Sequence, residues 1–275
     1  MDNQVLIAFS LTLFAGLSTG IGSAIAFFAK RTNTLFLSVS LGFSAGVMIY
    51  ISFVELLSDA ISTLSALHGE SNGTLYAVLA FFGGIFLIMI IDALVPKNEN
   101  PHEFRGVEEI AEITKSQSAT KYKNTKLMRV GLLTALVLAI HNFPEGMVTF
   151  LAALKDVKIA VPIAVAIAIH NIPEGIAVSV PIYYATGNRK RAFWLSFLSG
   201  LAEPIGALVG YLILAPFLND NLFGIMFAVI AGIMVFISLD ELLPAAEKCG
   251  GKHHHAIYGL VAGMAVMAIG LLLLG

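Results

Sequence analysis

The hexapeptide HNFPEG begins at His141, and HNIPEG begins at His170. Each places an imidazole, a carboxamide and a carboxylate inside an otherwise apolar run. Residues four apart in a helix lie about 6 Å apart along its axis and on nearly one face. His141 and Glu145 therefore point together, with Asn142 at the edge of that face, and His170, Glu174 and Asn171 repeat the arrangement. Antiparallel neighbours with facing motifs gather two imidazoles, two carboxylates and two amide oxygens. That donor set suits a borderline divalent ion such as Zn²⁺, Fe²⁺, Co²⁺ or Mn²⁺, and the absence of a nearby thiolate makes Cu(I) a poor candidate. Bridging carboxylates also permit a binuclear centre.

Pro144 and Pro173 stand between the His and Glu of each copy. A helical proline frees the carbonyl four residues earlier, here that of Ile140 and Ile169, and kinks the helix. In a bilayer such a carbonyl needs a partner from protein, water or an ion. Gly146 and Gly175 allow close helix approach. Glu203-Pro204 repeats the acid-plus-proline theme and offers a third bridging carboxylate. One intramembrane His or Glu often serves only as an interhelical hydrogen bond. Two matching constellations, with ionisable groups costing about 2.5 kcal/mol or more each on insertion, point to function.

The elements that position these residues follow from composition. The chain has 275 residues, 57% of them hydrophobic and 12% charged, and a mean hydropathy of +0.86. A soluble domain carries about a quarter charged residues. Residues 3–29, 32–54, 71–91 and 256–275 contain no Asp, Glu, Lys or Arg, and each is long enough to cross the hydrocarbon as a helix. Four further apolar segments bring the expected spans to eight: 4–29, 34–58, 73–95, 128–153, 159–185, 191–215, 221–245 and 255–274. They form a single transmembrane domain over 1–275, interrupted by a polar loop at 96–127. Nothing alternates with period two, which excludes a membrane β-barrel. The N-terminus lacks a basic region followed by a small-residue cleavage site, so the first span is expected to be retained. Cys249 is the only cysteine and rules out an intrachain disulfide framework.

With eight spans, fourteen of the sixteen Lys and Arg fall in the loops after spans 1, 3, 5 and 7, leaving only Lys155 and Lys158 on the other side. By the positive-inside rule the fourteen face the cytoplasm and both termini lie outside. Arg129 and Arg191 stand at span ends, and no basic residue falls in the interior of a span. Glu55, Asp240 and Glu241, with Asp59 and Asp92 near span ends, therefore read as cation-path, gate or hydrogen-bonding residues. His253, His254 and His255 form a cytoplasmic run, either a metal-collecting cluster or a solvated one. His68 and His102 are single loop histidines.

The chain also repeats itself. SAGVMIYISFVELLSDA from Ser44 aligns without a gap with IAGIMVFISLDELLPAA from Ile230, setting Glu55 opposite Glu241. AGLSTGIG from Ala15 parallels SGLAEPIG from Ser199. Spans 1–3 thus match spans 6–8, and a shift of five spans reverses orientation. The two hexapeptides pair span 4 with span 5 in the same inverted sense. The expected fold is an all-α membrane protein of eight transmembrane helices in a 3+2+3 inverted-repeat bundle, a recurring transporter design.

The paired hexapeptides on consecutive central spans, GLAEP on the next, and the eight spans resemble the ZIP (Zrt-, Irt-like) divalent metal transporters over essentially the whole chain. The resemblance implies uptake of zinc, and also Fe²⁺, Mn²⁺, Co²⁺ or Cd²⁺, across the plasma membrane into the cytoplasm by an elevator-like or rocking movement. It implies a binuclear site with one position at His141, Glu145, His170 and Glu174, and the other at Asn142, Glu145, Asn171, Glu174 and Glu203. The metal is then cargo, with no cofactor. The partners are divalent ions and the lipid bilayer, a homodimer is left open, and nucleic acid is not expected. The loop between spans 3 and 4 holds only His102, so a histidine-rich metal-sensing loop is not expected. HNIPEG also departs from the HELP motif of another branch of the family. Two other readings start from the same residues: an intramembrane di-metal hydrolase or oxidase, and a passive cation channel. The inverted repeat and the lack of a further base or nucleophile favour transport over catalysis.

Overall fold

The computed structural model describes residues 3–28, 34–94, 120–250 and 253–274, and among these no β-strand occurs. The chain forms helices α1 (Asn3–Phe28), α2 (Thr34–Ile51), α3 (Leu57–His68), α4 (Glu70–Leu94), α5 (Thr120–Lys155), α6 (Val157–Thr186), α7 (Arg189–Gly200), α8 (Ala202–Leu214), α9 (Asp220–Ile237), α10 (Leu243–Gly250) and α11 (His253–Leu274). Seven of the resulting rods are long and apolar enough to cross a membrane. The eighth is α5, which is 36 residues long. The protein is an all-α membrane protein. Of the polar loop expected over 96–127, the part up to residue 119 lies outside the described residues, His102 included, and Thr120 already opens α5.

Local chemistry explains several helix ends. Between α5 and α6 stands only Asp156, whose carboxylate caps α6 by accepting from the Lys158 N–H at 2.9 Å. Asn188 caps α7 through the Arg191 N–H at 3.1 Å, and Asn219 caps α9 through the Leu222 N–H at 2.9 Å. Gly69 (φ 82°) and Gly187 (φ 63°) adopt the positive φ that stops α3 and α6.

Two interruptions have no such signal. Ser52–Leu56 joins α2 to α3, and Ser238–Leu242 joins α9 to α10, each as a single π-helical turn. Both sit at equivalent places in the sequence repeat, SFVEL opposite SLDEL. In each the leading serine turns back to the preceding helix: Ser52 Oγ donates to the Met48 carbonyl and Ser238 Oγ to that of Met234, both at 2.7 Å. A π turn holds one extra residue and typically marks a functional segment.

The rods pack as two groups. One holds α1, α5, α6, α7 and α8; the other holds α2, α3, α4, α9, α10 and α11. Within the second group, α2 lies against α11 and α4 against α9. Glycines bring these pairs to backbone contact. A Cβ at Gly46 would strike the Leu260 carbonyl, and one at Gly232 would strike that of Phe81. Gly84 lies likewise against the Val229 carbonyl, and Gly263 against that of Phe43. Because Gly46 aligns with Gly232 and Phe43 with Val229, the repeat visible in the sequence holds in space, contact for contact. The outward surface is what a bilayer requires. Leu75, Leu79, Phe82, Phe86 and Ile90 form one stripe along α4, each 50–61% exposed.

Candidate metal centre

Both hexapeptides lie on the facing pair α5 and α6. Glu145 of α5 accepts from His170 Nε2 of α6 at 3.2 Å. The helices are joined by a single residue, so this contact requires them to run antiparallel. The side chain of His141 lies outside the described residues. Asn142, Glu145, His170, Asn171, Glu174 and Glu203 are each at most 1% exposed, at the centre of an apolar bundle. Pro144 lies inside α5, and Pro173 inside α6.

The two asparagines are held by matching contacts. Asn142 Nδ2 donates to the Ser199 carbonyl of α7 at 3.3 Å, and Asn171 Nδ2 donates to the Ala15 carbonyl of α1 at 2.9 Å. Ala15 and Ser199 are partners in the sequence repeat. Asn171 Nδ2 also donates to Glu203 Oε1 of α8. Each amide is thereby fixed by its nitrogen end. The oxygens, Asn142 Oδ1 and Asn171 Oδ1, are buried and find no hydrogen-bond partner among the described residues. A buried amide oxygen with no donor is costly unless something electropositive answers it.

Glycine brings the flanking helices to these motifs. Gly146 lies against the Glu203 carbonyl and Gly175 against that of Thr19; Gly206 lies against the Phe143 carbonyl and Gly22 against that of Ile172. Both pairs obey the repeat, since Thr19 aligns with Glu203, Gly22 with Gly206, and each hexapeptide with the other. The pseudo-twofold thus passes through the donor cluster. Among the described residues, no three His, Cys, Asp or Glu side chains converge at metal-ligand spacing. The observed contacts join His170 to Glu145 and Asn171 to Glu203, and Glu174 lies one turn beyond His170.

Across residues 3–270 the chain matches the family described as ZIP zinc transporter. It belongs to the ZIP family. Proteins named zinc transporter ZupT are similar throughout: that of Oceanobacillus iheyensis is 60% identical over 274 residues, covering 100% of both chains. That of Streptococcus mutans is 59% identical over 273 residues (99% of both chains), and that of Clostridium perfringens 58% over 277 residues (98% of this chain, 97% of the relative). ZIP membership places the chain among multi-pass membrane transporters and removes the intramembrane enzyme alternative.

Outside the centre, the expectations for one acid narrow. Asp59 has a neutralising partner and takes the hydrogen-bonding role among those expected of it. Lys155, at the end of α5, donates to Asp59 Oδ2 at 2.6 Å and to Thr63 Oγ1 at 3.0 Å, and its ammonium lies 5.4 Å from the Phe227 ring. The lysine ends α5 and the acid lies in the first turn of α3, and the fold brings them together. This contact links the two helix groups. Glu55 lies one turn before Asp59 and is half-buried; Glu241 is buried and Asp240 exposed. The histidines expected in loops are helical where described: His68 ends α3 and donates to Asn221 Oδ1 at 2.8 Å, and His254 lies in the first turn of α11, stacked on Tyr258 with ring centroids 6.2 Å apart.

Proposed function

We propose that this ZIP-family chain carries zinc, together with Fe²⁺, Mn²⁺, Co²⁺ and Cd²⁺, inward across the plasma membrane, with both termini outside. The cargo is bound between α5 and α6 by His141, Asn142, Glu145, His170, Asn171 and Glu174, with Glu203 of α8 completing a binuclear site. The observation that carries this reading is the pair of buried, unanswered amide oxygens at Asn142 and Asn171 beside the His170–Glu145 contact. A divalent cation answers such oxygens and carboxylates together, whereas a purely structural network leaves the amides unsatisfied. Pro144 and Pro173, inside continuous helices, withhold an N–H from the Ile140 and Ile169 carbonyls and so offer them as oxygen donors along the path.

The test is uptake of labelled zinc by the purified protein in liposomes with no organic substrate present. Uptake should saturate, and Glu145→Ala or Glu174→Ala should remove it for every metal, because each carboxylate contacts both positions. Wild-type zinc uptake by Glu174→Ala would overturn the binuclear site. Competition by the other four ions against labelled zinc defines the cargo range. For orientation, in a Cys249→Ser background, Lys158→Cys should react with an impermeant thiol reagent outside intact cells, and Lys190→Cys only after permeabilisation.

A further inference from the structure

The pseudo-twofold doubles the asparagine and glycine contacts around the two hexapeptides, but not the contact that Glu203 makes. Glu203, whose carboxylate reaches Asn171, stands opposite Thr19 of α1 in the repeat. We propose that Thr19 is a further lining residue of the metal position assigned to Asn142, Asn171 and Glu203: by the pseudo-twofold its hydroxyl stands to Asn142 as the Glu203 carboxylate stands to Asn171, a neutral donor opposite a charged one. The proposal rests on the metal-site reading above.

Three observations place the Thr19 side chain. First, α1, which carries Thr19, crosses the end of α7, just before Glu203 of α8, at a pair of glycines on the pseudo-axis. A Cβ at Gly16 would lie 2.6 Å from the Gly200 carbonyl oxygen, and one at Gly200 would lie 2.5 Å from that of Gly16. Each glycine leaves room for the opposite side chain. The Gly200 position faces Thr19 Cβ and Oγ1 at 2.6 Å, and the Gly16 position faces Glu203 Cβ at 3.3 Å. The two side chains therefore leave their helices at twofold-related points. Second, the Thr19 carbonyl abuts Gly175, next to Glu174, as the Glu203 carbonyl abuts Gly146, next to Glu145. Third, Thr19 is fully buried, and its Oγ1 has no hydrogen-bond partner among the described residues.

That last point is unusual for a helical threonine. A buried hydroxyl normally bonds the carbonyl four residues back. Thr12 does so to Ala8 at 3.0 Å, and Thr149 to Glu145 at 3.0 Å. For Thr19 the corresponding carbonyl is Ala15, which already accepts from Asn171 Nδ2 at 2.9 Å and Ser18 Oγ at 2.6 Å. The default partner is thus taken by the site's own asparagine. The hydroxyl is left as an oxygen donor where the other half of the site presents a carboxylate. A neutral hydroxyl is a weak ligand for a divalent ion and a carboxylate a strong one. The Asn142–Asn171–Glu203 position is therefore bound mainly from the Glu203 side, with Thr19 as the weaker contact.

Zinc uptake in liposomes, measured as KM and maximal rate with thermal melting alongside, tests this. Valine keeps the shape of threonine and removes only the hydroxyl. Thr19→Val should raise KM about three- to tenfold, the equivalent of one neutral polar contact, with maximal rate and melting temperature near wild type. Thr19→Ser should restore the wild-type KM. Glu203→Thr should impair uptake more strongly, and the exchanged pair Thr19→Glu/Glu203→Thr should recover a substantial part of that loss. Wild-type KM in Thr19→Val, alongside impaired uptake in Glu203→Thr, would sink the Thr19 assignment and leave the metal site standing. An exchanged pair no better than Glu203→Thr would refute the equivalence of the two positions. Unchanged uptake in both single variants would remove the Asn142–Asn171–Glu203 position, while the position at His141 and His170 is tested separately by Glu174→Ala.

Discussion

Replacing Gly146 by alanine tests whether the donor cluster depends on backbone contact between α5 and α8. The added Cβ would lie 2.5 Å from both the Cα and the carbonyl carbon of Glu203. Ordinary carbon–carbon contact begins near 3.5 Å, so the helices must separate by about 1 Å. Backbone cannot rotate aside as a flexible side chain can, and overpacking of this kind costs about 1–3 kcal/mol. For a chain of this size that lowers the melting temperature by roughly 2–10 °C. The effect on function should be much larger. Gly146 adjoins Glu145, and the displaced Glu203 is the carboxylate that holds Asn171. Metal sites tolerate ligand errors of about 0.2 Å, so a 1 Å shift takes Glu203 out of reach of a shared ion. Zinc uptake should fall at least about tenfold while the protein still folds. Gly83 supplies the control, because nothing lies within 4 Å of a Cβ added there. Gly83→Ala should leave uptake intact and stabilise α4 by up to about 1 kcal/mol. Wild-type uptake by Gly146→Ala, or equal losses in both variants, would show that contact at Gly146 does not position the site.

Two shorter predictions concern charge. Lys155→Met should destabilise the protein by about 1 kcal/mol, since the pair with Asp59 is only about three-quarters buried. In the double variant with Asp59→Asn the second change should cost little more, and strictly additive melting shifts would mean that the pair carries no coupling. Zinc uptake should weaken as external pH falls from about 7 to about 5, because imidazole and carboxylate ligands must shed protons to bind metal. The loss should appear as a higher KM that excess zinc overcomes; uptake indifferent to acidification contradicts metal–proton competition at the site.

The sequence carried the all-α membrane fold in its long uncharged runs, and the inverted relation in two ungapped alignments. Burial of Asn142, Glu145, His170, Asn171, Glu174 and Glu203 was legible because polar residues inside apolar spans must face the bundle interior. What the sequence withheld depends on contacts between distant segments. Which end of Asn142 and Asn171 faces the site is decided by the Ser199 and Ala15 carbonyls on other helices. The Lys155–Asp59 pair joins residues ninety-six apart. The π turns leave no mark in apolar periodicity, because one extra residue in SFVEL or SLDEL keeps the segment as hydrophobic as before. The helix continuing beyond the expected end of span 2 at residue 58 as far as His68 is also hard to read: STLSALH contains no breaker, and the stop comes from Gly69 at positive φ.

The paired π turns also bear on history. A single extra residue found at the same register in both halves is most simply inherited from a three-helix segment that already carried it before the segment was duplicated. Glu55 and Glu241, at matching positions in those turns, share that descent. Asp59 does not, for its counterpart in the other half is Ala245. The ion pair with Lys155 is therefore one-sided: it ties α3 to α5 at one end of the bundle, where the repeat places an alanine at the other.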